Sequence, residues 1–233
     1  MEPILTLTPK SVSIKDVRSN GKVKKLIDGA NEVMKAMGYT EHGQRHAGVV
    51  SSITRYILES VGVSGRDIEL GQIAGFMHDI GNVVNRIDHP LHGASISFYL
   101  LDQMGMDASE IAPVLGAIGN HEEMVGMPIS PMSAALIIAD KSDVHFSRVQ
   151  NPILETFDIH DRVNYAVQKS RVEVRPPGVE RGQTIELTLE IDTSHATVME
   201  YFEIFLNRMV MCRKSADLLG YKFTLNVNGT YLE

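Results

Sequence analysis

Apolar residues recur at helical spacing from about Lys22 to Val167, and the pattern then switches to strict alternation. Leu26, Ile27, Ala30, Val33, Met34 and Met37 fall on one side of a helix over 22–37, which Gly38 stops. The same spacing predicts helices over about 44–61, 67–80, 90–104, 110–123 and 131–149, with a shorter one over 159–167. Pro113 is expected in the first turn of the fifth. After Gln168, Ile185, Leu187, Leu189 and Ile191 alternate with Glu186, Thr188, Glu190 and Asp192, as in a strand with one wet face. Val172 and Val174 precede that strand, and Tyr221, Phe223, Leu225 and Val227 repeat the alternation near the end. Between the last two strands, apolar residues from Val198 to Leu219 step alternately by four and three, which marks one long helix. The reading is a mainly α chain: an N-terminal extension over 1–20, a helical domain over 21–167 and a small ββαβ α+β unit over 168–233.

Composition narrows the class. With 233 residues and 43% hydrophobic positions the chain can bury a substantial core. Its formal charge of −7 argues against stable nucleic-acid binding or an anionic membrane as partner. The tail is nearly neutral, so the acidic excess sits in the helical part. One cysteine, Cys212, excludes an internal disulfide framework and falls on the packing stripe of the tail helix. No basic-then-apolar leader opens the sequence, and a cytoplasmic location is the expectation.

The chemistry lies in polar residues on faces that should be apolar. His46 shares its stripe with Val50, Ile53 and Ile57, and His78 and Asp79 close the third helix beside Phe76 and Met77. His121 follows the stripe Ile111, Val114, Leu115, Ile118, and Asp140 follows Leu136 and Ile137. His89 lies just ahead of the fourth helix. An unpaired buried carboxylate costs several kcal/mol, so inward aspartates need cations. Imidazoles and carboxylates around a divalent metal meet that need.

The segments EHGQRHA, HDIGN, HPLHGA, GNHEE and ADKSD, in this order between Glu41 and Asp143, resemble the successive motifs of the HD superfamily of metal-dependent phosphohydrolases. The ordered set is specific; a single His-Asp dipeptide is not, and His160-Asp161 is read as a surface decoy. The resemblance implies a helical HD-type bundle with two divalent ions, iron or manganese before Mg, Zn, Ni or Co. Asp79 would bridge them, with His46, His78 and Asp140 around one ion and His89 and His121 on the other. Lys141 resembles a phosphate contact, which would put it beside Asp79 in catalysis. His92 and Arg45 are further candidates for substrate binding, and Glu122 and Glu123 are read as solvated helix-end residues.

The implied function is hydrolysis of a phosphate ester or anhydride in a small nucleotide-like molecule. The stretch ISPMSAALIIADKSD is also similar to HD-GYP phosphodiesterases, but the loop after His121 lacks their glycine-tyrosine-proline segment and Asn82 stands where they carry lysine. Linear substrates such as dinucleoside polyphosphates are therefore favoured over cyclic ones. Two alternatives share the same ligand order: a di-iron oxygenase, and a metal-holding regulatory module. The tail could pack on the bundle, cap the site, or pair two copies as a homodimer.

Overall fold

The computed structural model describes residues 11–178 and 182–232. Among them the helical part comprises α1 (Ile14–Ser19), α2 (Gly21–Ala36), α3 (Gln44–Ser60), α4 (Arg66–Met77), α5 (His89–Gln103), α6 (Ala108–Gly119), α7 (Pro131–Ser142) and α8 (Ile159–Ala166). The C-terminal unit is β1 (Val167–Arg175), β2 (Thr184–Ile191), α9 (Val198–Leu218), β3 (Lys222–Val227) and β4 (Thr230–Leu232). The fold is thus mainly α with a small sheet at its end. No helix among the described residues is long and apolar enough to cross a membrane.

Helix α7 is the axis of the bundle. From Met132 to Ala139 every residue is buried, as expected of a helix surrounded on all sides. It packs against α3, α4, α6 and α9. A reciprocal capping box between Ser130 and Ser133 starts it. The helix ends at Ser142, not near Val149 as the periodicity suggests. Asp143 leaves helical geometry, and its carboxylate is taken by His46 and Arg45, so tertiary bonds win over continuation.

Other helical boundaries differ from the sequence reading too: α4 ends at Met77 and α6 at Gly119, earlier than the spacing suggests. Asp107 caps α6 by accepting from the Ser109 amide, which moves the start back to Ala108 and leaves Pro113 inside the helix. The carbonyl that Pro113 cannot serve belongs to exposed Ser109, where water can replace the lost donor. The extension also contains structure: α1 opens with a capping box between Ser13 and Asp16 and buries Val17. It is tied to α4 by Ile14 N donating to Glu69 (3.0 Å) and Arg66 donating to the Val12 carbonyl (2.7 Å). Residues 1–10 of that extension lie outside the described part.

Glycine spacing sets how closely α3 and α4 approach. A Cβ on Gly75 would sit 3.0 Å from Ser51 Cα, and one on Gly71 would overlap Leu58. Bare backbone at these two positions lets α4 lie close along α3, from Gly71 beside Leu58 to Gly75 beside Ser51, toward the ends that carry His46 and His78.

The C-terminal sheet has the order β1-β2-β3-β4. β1 pairs antiparallel with β2, and β2 pairs parallel with β3 through the crossover helix α9. The fourth strand, absent from the ββαβ reading, pairs antiparallel with β3 after an Asn228-Gly229 turn in which both residues have positive φ. The polar face of β2 is wet only in part. Glu186 is buried, bonded to Arg175 at 3.1 Å and to the hydroxyl of Thr188 at 2.9 Å. Cys212 is a buried, free thiol; burial pushes its pKa up to about 12, consistent with a packing role.

Candidate metal centre

Five helix ends deliver the candidate ligands to one point. His46 lies in the first turn of α3, His78 and Asp79 follow α4, His89 opens α5, His121 follows α6 and Asp140 sits in the last turn of α7. All four histidines are essentially inaccessible, and Asp79 is buried. After Asp79 the chain tightens into a 3₁₀ turn over Ile80–Val83, where Asn82 Nδ2 donates to Asp79 Oδ1 at 2.9 Å.

Each imidazole is held from outside by its Nδ1. His78 donates to the Gly75 carbonyl (2.9 Å), His89 to the Arg86 carbonyl (2.9 Å) and His121 to the Ile118 carbonyl (2.6 Å). His46 Nδ1 meets Asp143 Oδ2 at 2.6 Å. In the neutral ring that metal binding requires, a proton on each Nδ1 leaves each Nε2 as a lone pair aimed inward. These lone pairs face one another, at 3.3 Å between His46 and His78 and 3.0 Å between His89 and His121. Without a proton or a cation between them such pairs repel, so the donor set fits divalent metal.

Asp79 stands between the two pairs. Its Oδ2 lies 3.5 Å from His46 Nε2 and 3.3 Å from His78 Nε2, while Oδ1 lies 3.4 Å from His89 Nε2 and 3.7 Å from His121 Nε2. Asp140 Oδ1 completes the first side, 3.3 Å from His46 and 3.6 Å from His78. Three groups of ligand atoms have the mutual spacing for an ion: His46, His78 and Asp140; His78, Asp79 and His121; His89, His121 and Glu122.

The electrostatics follow this crowding. Burial disfavours the charge on His78, but Asp79 and Asp140 override it and raise its pKa to about 10. Burial and Arg148 oppose the charge on His46, and its carboxylate neighbours still lift it to about 8. Burial dominates at His89 and pushes it down to about 3. Burial also works against ionised Asp79 and Asp140, yet His78 beside the first and Lys141 beside the second hold both well below the usual carboxylate range.

Several residues stand elsewhere than the sequence suggests. Glu122 is no solvated helix end: it completes a ligand group with His89 and His121. Glu123 is likewise engaged, ion-paired with Lys141 (2.7 Å) and accepting a hydrogen bond from Arg208 Nε (3.2 Å). The Lys141 ammonium is buried against carboxylates, with Asp140 Oδ2 at 2.8 Å. Arg45 spans Glu41 and Asp143 at 2.9 and 2.8 Å, and thereby steadies the partner of His46. His92 is half-buried one turn beyond His89 and joins none of the three groups. Of the presumed surface decoy, His160 is exposed, but Asp161 is buried and accepts from Asn151 at 3.2 Å. The paired acids after His121 and the second aspartate of ADKSD were visible signals for Glu122 and Asp143; no local pattern pointed to Arg86 or Arg208.

Replacing Asp143 by asparagine leaves the shape and removes the charge behind His46. Metal affinity should fall about 10- to 100-fold, measured by competition with a chromophoric chelator, while the ligands themselves are unchanged.

Residues 44–145, which carry these histidines and aspartates, match the HD domain family model. The chain is 24% identical, over 70% of its own length and 70% of the other's, to an uncharacterized protein of Methanocaldococcus jannaschii. It is also similar to the crystal structure of a predicted HD superfamily hydrolase from an uncultured Thermotogales bacterium, with 25% identity and a TM-score of 0.42, covering 53% of this chain and 68% of that one.

Proposed function

We propose that the chain is a metal-dependent phosphohydrolase that cleaves a phosphate ester or anhydride of a small nucleotide-like substrate. The observation that carries this reading is Asp79 with one oxygen toward each histidine pair. One divalent ion would be held by His46, His78, Asp140 and Asp79 Oδ2, a second by His89, His121 and Asp79 Oδ1, with Glu122 beside it. Iron or manganese suits this nitrogen and oxygen set. Bound there, the cations would supply Lewis acidity for water and for phosphoryl oxygens.

The chain's own residues then have distinct tasks. Asn82 fixes the rotamer of Asp79 by donating to Oδ1. Lys141 orients Asp140 and offsets the charge of Glu123. Asp143 and the three backbone carbonyls hold the imidazoles so that only Nε2 faces the reaction. This arrangement lets an acidic protein act on an anionic substrate, since the local positive charge does not come from its surface.

The test is phosphate or nucleotide release from a panel of nucleotides by full-length protein loaded with manganese or iron. Turnover should disappear with a chelator and return with added metal. If no phosphate ester or anhydride is cleaved, the reading is wrong; oxygen consumption by the iron form would move the chain to the oxygenases instead. The chelated protein should also melt lower. Saturation at 100 times Kd contributes about 2.7 kcal/mol, equivalent to roughly 5–10 °C in a chain of this size.

A further inference from the structure

A cavity of about 330 Å³ opens beside the ligand cluster, between the turn at 37–42, Arg86, Arg148 and helices α8 and α9. This volume lies near the lower end of the roughly 300–1,000 Å³ of small-molecule sites, too small for a folded partner. Its charge is one-sided. Arg86, Arg148 and Arg208 line it against a single carboxylate, Asp158.

Each arginine is anchored. Arg86 Nη2 donates to Glu122 at 3.2 Å, and its Nη1 lies 3.2 Å from His89 Nε2. Arg148 is buried and spends its donors on the carbonyls of Glu41 and Asp143, at 2.8 to 3.1 Å. Arg208 donates through Nε alone to Glu123 at 3.2 Å, with its guanidinium 4.6 Å from the centre of the Phe205 ring. Its two Nη groups have no acceptor among the described residues. Aromatic and carboxylate support on one edge leaves the other edge of the fork, which matches phosphate oxygens.

The cavity and the cluster share one frame. Glu122 and Glu123, the anchors of Arg86 and Arg208, are consecutive and follow His121 directly. His42, on the opposite wall, packs edge-on against His46 with ring centres 5.5 Å apart. A ligand in the cavity therefore lies alongside the candidate ligand groups rather than at a remote surface.

We infer that this cavity is a second phosphate subsite, in which Arg208 and Arg86, backed by the charge of Arg148, hold the phosphoryl group that is not being cleaved. The substrate class is then a di- or polyphosphate rather than a simple monoester. The inference rests on the phosphohydrolase reading for the role of the neighbouring cluster. It also gives the C-terminal unit a task, because Arg208 and Phe205 come from α9. The tail becomes one wall of the substrate site.

The probes are imidodiphosphate, whose P–N–P bridge resists hydrolysis, and inorganic phosphate, titrated calorimetrically into full-length manganese-loaded protein. Arg208→Gln should weaken imidodiphosphate at least about tenfold, leave phosphate within about twofold, and leave metal per chain unchanged. Arg208→Lys keeps the charge without the fork and should fall between; it also serves if the glutamine variant does not fold. Unaltered imidodiphosphate binding in both variants overturns the inference. So does an equal loss of both probes, which would mean that Arg208 acts only through Glu123 on the cluster. Because the readout is binding, the two readings separate: Arg208-dependent capture without turnover of any nucleotide removes the hydrolase and keeps the subsite. Phosphate-ester turnover indifferent to Arg208 does the reverse.

Discussion

Asp79→Ala should lower turnover by at least about three orders of magnitude, equivalent to about 4 kcal/mol in the barrier, and should strip metal from the protein. Among the described residues no other carboxylate faces both histidine pairs: its two oxygens lie 3.3–3.5 Å from His78 and His46 on one side and 3.4–3.7 Å from His89 and His121 on the other. Removing it leaves two sets of inward lone pairs with no anion between them, so both of the proposed ions would lose a ligand at once. Single-turnover measurements with supplemented manganese, alongside metal analysis of the same sample, read both effects. Asp79→Ala with full activity would remove Asp79 from the chemistry. Thermal melts of the chelated forms provide the control, since the chelated variant should fold much like the chelated wild type.

Gly81→Ala should be among the most damaging single methyl additions at the described residues, and it should act on folding rather than chemistry. Gly81 sits in the 3₁₀ turn after Asp79, where a Cβ would overlap the His89 carbonyl oxygen and the Gly93 amide, and would come within 2.9 Å of Gly93 Cα. All three obstacles are backbone, so no side chain can swing away. The turn would have to separate from α5, and His89 would move with it. Soluble yield should collapse, or the melting temperature should drop by roughly 10 °C or more, as expected for overpacking costs of about 3 kcal/mol and above in a chain of this size. The contrast is Gly48, in the second turn of α3, where a Cβ meets nothing within 4 Å. There alanine should raise stability by about 0.5–1 kcal/mol. Paired melts of the two variants check both signs.

Much of this was readable from residue order. Helical spacing located the main helices because each buries one apolar stripe, and α7 stood out because it buries them all. The histidines and aspartates were visible because they interrupt those stripes. The features that escaped depend on how helices cross. Glu122 looks like any helix-end acid until α5 brings His89 to His121, 3.0 Å apart at Nε2. Arg86 and Arg208 are separated by more than half the chain and meet only because α9 packs on α7. Asp143 stops α7 for a tertiary reason, its bonds to His46 and Arg45, that no local propensity carries. The fourth strand is different: its Asn228-Gly229 turn was a legible hairpin signal, hidden only because β4 is three residues long.

A two-ion centre bridged by Asp79 stands or falls on metal per chain. Full-length protein loaded with manganese, cleared of loose ions and analysed by mass spectrometry of the metal, should carry two ions, and His89→Ala should carry one. Two ions falling to one would place His89 at the second ion. A single ion in the wild type, unchanged in the His89 variant, would rule out the bridged pair.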